Sequence, residues 1–240
     1  MFGYGFGYYG MFSNPYYIIG MVGVLLASVL MIWAQMKVQG AYSRFKKIQN
    51  HRGLSGAQVA REILDSEGLQ DIEILEVKGN LSDHYNPGKK TINLSSDIYN
   101  GTSIASLAVA AHECGHAIQY KEKYAPITMR NAILPIANVG QYLGWFAIFI
   151  GFIVNINIAW FGFFLMCGIL AFQVVTLPVE FNASSRALRI LNERYLDQGE
   201  YEGAKSMLSA AAMTYVAAMI ATLMSMLRIF LMIVGSQRND

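Results

Sequence analysis

The chain has 240 residues, 54% of them hydrophobic and only 14% charged, with 18 Lys and Arg against 16 Asp and Glu and a net charge of +2. Soluble domains carry about a quarter charged residues, so this composition points to a membrane protein. The small net charge, without any cluster of aromatic and basic residues, excludes a nucleic-acid partner; the two cysteines, Cys114 and Cys167, lie in dissimilar surroundings and read as free thiols.

Residues 1–15, MFGYGFGYYGMFSNP, are rich in Gly and aromatic residues and carry no charge, as expected of a flexible or interfacial start. They lack the basic opening and cleavage site of a signal peptide. The uncharged run 16–36 is long enough for a first transmembrane helix. The basic stretch KVQGAYSRFKKIQNHRG then leads the helix out of the bilayer, and His51 within it reads as a surface histidine. The remainder of residues 37–130 reads as soluble. In LSGAQVAREILDSEGLQ, Ser55 is a cap, Val59, Ile63 and Leu64 share one face, and Gly68-Leu69 forms a Schellman-type stop. IEILEV (72–77) alternates as a strand does, NPGKK is a turn, and TINLS (91–95) is a second strand. Asn100, Thr102 and Ser103 offer capping side chains for a helix over 102–120.

Residues 131–179 contain no charged side chain, enough for two spans and a turn. Asn155-Ile156-Asn157 is the natural turn, giving a transmembrane hairpin of helices 133–154 and 158–177, with Pro135 and Pro178 near its ends. A charged stretch, 180–205, precedes a fourth transmembrane helix over 206–235. That helix exceeds a bilayer's thickness, so its Ala-rich start is expected to pack on the soluble part, and Arg228 is either snorkelling or paired. Of the 18 Lys and Arg, twelve fall in 37–130 and four in 180–205. The positive-inside rule therefore puts both charged segments in the cytoplasm and the N-terminus outside, in a multi-pass cell-membrane protein.

The chemistry is concentrated in VAAHECGHAI. With two of the chain's four histidines at i and i+4 on a helix, His112 and His116 aim their rings at a common point, and Glu113 sits beside it. Two imidazoles at this spacing suit Zn2+, a neighbouring carboxylate can act as general base, and H-E-x-x-H is the spacing of zinc peptidase helices. The plainer reading is a buried histidine pair satisfied by backbone or water. Cys114 points to another face and is expected to pack rather than react. A catalytic zinc usually has three protein ligands. An even number of crossings returns the chain to the same side, so Glu180, just after Pro178, can reach the motif helix; it can equally be an N-terminal helix carboxylate. His84, in LSDHYNPG, is the rival third ligand, or with Tyr85 a group near the reacting carbonyl.

HECGHAIQ followed, after a membrane hairpin, by LPVEFNASSRAL, together with the DHYNP turn, resembles the YugP-like membrane zinc metallopeptidases, the neutral zinc metallopeptidase 2 family. It is more distantly similar to the HtpX and CAAX-prenyl protease gluzincins, and the resemblance covers nearly the whole chain. It implies a mainly α membrane protein of four transmembrane helices with a small α+β zincin-like cytoplasmic catalytic part. It assigns His112, His116 and Glu180 as metal ligands and Glu113 as catalytic base. The implied function is a zinc-dependent endopeptidase that hydrolyses peptide bonds at the cytoplasmic membrane face with a zinc-activated water, its partners being the bilayer and polypeptide substrates, membrane proteins among them. The distant group has an acid four residues after the ligand glutamate; this chain has Ser184, so orientation of a ligand histidine falls to Ser184 or Asn182. Arg186 can approach the site but is assigned no role there. Strand 91–95 is expected to offer an edge to which an extended substrate adds. The alternatives are a non-catalytic zinc-binding scaffold or quality-control adaptor, which has no need of Glu113, and a transporter component built on Asn138, Gln141 and Gln173.

Overall fold

A computed structural model describes residues 15–79 and 82–237. In chain order its elements are α1 (Pro15–Phe45), α2 (Gly56–Ser66), β1 (Glu73–Val77), β2 (His84–Asn86), β3 (Thr91–Ser95) and α3 (Ser96–Tyr99). There follow α4 (Ile104–Lys121), α5 (Ala125–Ile153), α6 (Ile156–Arg194) and α7 (Gln198–Gln237). The glycine- and tyrosine-rich start, apart from Pro15, lies outside the described residues, as do the last three residues.

The chain is mostly helical, and α1, α5, α6 and α7 are each long and apolar enough to cross a membrane. At 1.5 Å per residue they extend about 44–60 Å, more than the roughly 30 Å of bilayer hydrocarbon, so each runs on past any span it makes. Two compact units result: residues up to 33, 130–174 and from 215 onward form one, and residues 34–129 and 175–214 form the other.

In the first unit apolar side chains face outward. Leu26, Ile136, Phe146, Phe149 and Phe164 are 65–67% exposed, a surface suited to lipid. The α5–α6 hairpin turns at Asn155, whose Oδ1 accepts from the Asn157 amide at 2.9 Å. Its helices meet backbone to backbone: a Cβ on Gly162 would stand 2.6 Å from the Gly144 carbonyl oxygen. Small residues allow this approach where no hydrophobic effect drives helices together. Arg228 packs its stem on Gly20, and its guanidinium reaches the Met21 sulfur at 4.0 Å, with no carboxylate partner among the described residues.

The second unit has a conventional core. α2 begins with a capping box, in which Ser55 Oγ accepts from the Gln58 amide while Gln58 accepts from the Ser55 amide. It ends in a Schellman motif, with Gly68 at φ 68° and the Leu69 amide donating to the Leu64 carbonyl at 2.8 Å. Val59, Ile63 and Leu64 of α2, Ile92 and Leu94 of β3, and Leu191 of α6 are fully buried. With them pack Leu107, Ala111 and Cys114 of α4, and the Ala-rich start of α7 joins the same core through Ala204, Met207 and Leu208.

The three-stranded sheet has the order β1-β3-β2. β1 runs parallel to β3 with Ile74 opposite Ile92, and β2 runs antiparallel with Tyr85 opposite Ile92. Two expectations are corrected here. Strand 91–95 is the central strand, buried at every residue, so no substrate can add to it. The DHYNP segment supplies a strand, β2, before its turn, and β2 is a sheet edge in contact with α4.

Candidate metal centre

α4 carries most of the chemistry because its composition lets it be buried. Ala105, Ala108, Ala110, Ala111 and Cys114 are fully enclosed, and small side chains allow close neighbours on several faces. Ser103 caps it, accepting from the Ser106 amide. The closest approach is at Gly115, where a Cβ would stand 2.7 Å from the Ala183 carbonyl oxygen and 3.1 Å from its Cα. That contact of α4 with α6 brings His112, His116 and Gln119 on one helix opposite Glu180 and Ser184 on the other.

The ligand atoms of His112, His116 and Glu180 lie within 4.8 Å of one another. Glu180 Oε2 is 3.4 Å from His112 Nε2 and 3.7 Å from His116 Nε2. The imidazole centroids are 4.7 Å apart and the rings nearly perpendicular, at 86°. Glu180 is 3% exposed, and its Oε2 accepts no hydrogen bond. Burial alone would raise the Glu180 carboxyl, but the imidazoles of His112 and His116 outweigh it and hold the group well below the usual carboxylate range. Burial would likewise lower His116, but Glu180, Glu113 and Gln119 outweigh it and hold the ring above the ordinary histidine value.

The outer nitrogens of both rings are engaged. His112 Nδ1 lies 3.2 Å from Ser184 Oγ, and His116 Nδ1 lies 3.0 Å from Gln119 Oε1. Glu113 is buried, and its Oε2 accepts from the Tyr85 amide of β2 at 2.9 Å. A cavity of about 570 Å³ is lined by Phe181, Ser184, Leu188, Leu208 and Met213, so the hydroxyl that touches His112 also forms part of its wall.

Other sequence candidates fall outside this cluster. His84 is exposed, with Nδ1 2.8 Å from the Ser82 carbonyl oxygen and Nε2 3.2 Å from Asn93 Nδ2, so both its nitrogens are occupied. The Cys114 thiol is buried against the Ala60 carbonyl, and burial pushes its pKa far up. His51 meets Glu200 at 2.7 Å beside Asp197, a second grouping of possible ligands. The Asp197 and Glu200 side chains there already close a capping box at the start of α7. Gln119 falls outside the H-E-x-x-H spacing, although its i+3 offset from His116 puts it on the same helix face.

The fold and this cluster define a multi-pass membrane chain with a His-His-Glu grouping, its glutamate buried, that could hold a metal ion. Residues 20–234 match the family described as "Putative neutral zinc metallopeptidase", and the chain belongs to that family. It is 39% identical over 213 residues to the "Putative membrane protease YugP" of Bacillus subtilis (strain 168), covering 88% of this chain and 94% of that protein. No solved structure matches. The family is one of zinc peptidases, so Zn2+ is the cofactor and polypeptides the class of substrate.

Proposed function

We propose that the chain is a membrane endopeptidase whose zincin-like catalytic part, residues 37–130 and 180–205, faces the cytoplasm. His112, His116 and Glu180 would hold the zinc ion and Glu113 would be the base. One observation carries this reading. The buried Glu180 Oε2 has no hydrogen-bond partner and faces two imidazole Nε2 atoms, while both Nδ1 atoms are tied elsewhere. An unsatisfied buried carboxylate oxygen is costly unless a cation compensates it, and one acidic and two imidazole donors suit zinc.

Zinc, when bound, supplies Lewis acidity that makes water easier to deprotonate and a carbonyl easier to attack. Glu113 accepts the proton as the water oxygen bonds to the peptide carbonyl carbon. It then delivers that proton to the amide nitrogen as the C–N bond breaks, leaving a carboxylate and an amine. The Tyr85 amide fixes one Glu113 oxygen and leaves the other to work. The same contact puts the base beside β2, so an extended substrate lies along this edge strand rather than along β3. The cytoplasmic placement is supported by the concentration of Lys and Arg in the two charged segments.

The test is mass spectrometry of cleavage products in membranes holding the parent protein or Glu113→Gln. The exchange is expected to leave zinc bound and to abolish the products. A Glu113→Gln protein that cuts as fast as the parent removes Glu113 from the role of base.

A further inference from the structure

We infer that Gln119, its amide oriented by the Val179 carbonyl and by Asn182 with Arg186 behind it, fixes the tautomer of His116 that leaves Nε2 free for the metal. The inference rests on the proposed reading of His116 as a ligand. It names three positioning residues that touch neither metal nor substrate.

The argument runs from groups whose hydrogen-bond polarity cannot vary. A guanidinium has only donors. Arg186 Nε lies 2.7 Å from Asn182 Oδ1, so that atom accepts and is the amide oxygen. Gln119 Nε2 lies 2.9 Å from the same oxygen and 2.8 Å from the Val179 carbonyl oxygen, which can only accept. Both neighbours demand the NH2 group at that position, so the orientation of the Gln119 amide is settled by its partners. Its other atom is then the oxygen, 3.0 Å from His116 Nδ1. An amide oxygen only accepts. His116 Nδ1 must carry the hydrogen, and the lone pair falls to Nε2, the nitrogen that faces Glu180.

Burial makes the relay binding. Gln119 is fully enclosed, so water cannot satisfy a flipped amide, and a flip would set two donors or two acceptors against each other at three contacts. Arg186 is anchored at its far end by Glu122, at 2.6 Å. His112 differs: its Nδ1 partner is the Ser184 hydroxyl, which donates or accepts equally well and imposes no tautomer.

The test uses the full-length protein in detergent and four variants, Gln119→Leu, Asn182→Asp, Asn182→Leu and His116→Ala. Zn2+ affinity is measured by chelator competition, the visible spectrum is taken with Co2+ in place of Zn2+, and circular dichroism checks the fold. Asn182→Asp keeps an acceptor for both donors and should bind Zn2+ within about twofold of the parent. Gln119→Leu removes the acceptor of the Nδ1 hydrogen and should weaken binding by about 10-fold or more, the usual scale for partners of metal ligands, and shift the Co2+ bands, whereas Asn182→Leu leaves the Val179 carbonyl to orient Gln119 and should cost less. Parent-like affinity and spectra in Gln119→Leu would overturn the relay, and so would Asn182→Leu or Asn182→Asp losing as much affinity as Gln119→Leu. Parent-like Zn2+ binding by His116→Ala would instead remove the ligand assignment on which the relay rests.

Discussion

Gly115 is where α4 and α6 touch, and Gly115→Ala is expected to cost the protein its metal more than its fold. The added Cβ would stand 2.7 Å from the Ala183 carbonyl oxygen, and both that atom and the Ala183 Cα at 3.1 Å belong to the backbone, so no side chain can turn aside. Ordinary contact begins near 3.4 Å, and the helices must part by about 0.7 Å locally. Overpacking of this kind costs about 1–3 kcal/mol, while Ala in place of Gly returns about 1 kcal/mol of helix propensity. The net loss of stability is therefore modest. The metal centre is less forgiving, because ligand distances tolerate only about 0.2 Å, and His112 and His116 sit on one of the separated helices and Glu180 on the other. Zn2+ affinity from chelator competition should fall at least about 10-fold while the unfolding temperature drops by only a few degrees. A second change, Ala183→Gly, should not restore binding, because it removes neither clashing atom. Unchanged affinity in Gly115→Ala, or rescue by Ala183→Gly, would refute the helix-contact argument.

His84→Ala should retain stoichiometric zinc, whereas Glu180→Ala should lose it; metal analysis of the two purified proteins decides whether His84 belongs to the centre. Ser184→Ala removes the partner of His112 Nδ1 and should weaken Zn2+ binding about 10-fold with the fold intact, read by the same competition assay. The pH dependence of stability should differ in sign between the metal-free and zinc-loaded protein. Without metal, the raised His116 contributes stability that is complete below its ordinary value of 6.5 and is lost as pH rises through its higher folded value. The depressed Glu180 contributes stability present above its ordinary 4.5 and lost only as pH falls through its lower folded value. This pair thus favours the metal-free protein most between those two values. Zinc needs a neutral ring, so the loaded protein gains stability as pH rises through the same range. Unfolding temperatures with and without Zn2+ between pH 5.5 and 8, as a rough window, should diverge; parallel curves would contradict the pairing. Cys114, buried and with its pKa pushed far up, should resist thiol reagents until the protein unfolds, as labelling followed by mass spectrometry will show.

Much of this was legible in the sequence because it is local. The four long helices follow from charge-free runs, and α2 was readable from Ser55 and Gly68-Leu69 because caps and Schellman motifs are written in a few neighbouring residues; the Gln58 half of its capping box came from the structure. His112 and His116 share a face by helical spacing alone. Two spans within the charge-free run 131–179 return Glu180 to the side of the motif, but its choice over His84 as third ligand came from the family resemblance rather than from spacing. What escaped was set by partners far away in the chain. β2 is three residues long, and Asn86, Pro87 and Gly88 read as turn, so only its pairing with β3 makes it a strand. β3 looked like an edge because it is the last strand before the motif helix, yet β1 and β2 flank it from both sides, an order no local pattern encodes. Gly115 carries no signal of its own in the sequence, and its use appears only against Ala183. The role of Gln119 depends on the carbonyl of Val179 and the amide of Asn182, 60 and 63 residues further on.

The convergence of His112, His116 and Glu180 on one ion is tested most directly by zinc K-edge X-ray absorption on the purified, zinc-loaded protein. The account expects two imidazole shells and one carboxylate oxygen, all near 2.0–2.2 Å, with one imidazole lost in His112→Ala. A sulfur shell near 2.3 Å, or an imidazole count unchanged in His112→Ala, would contradict it.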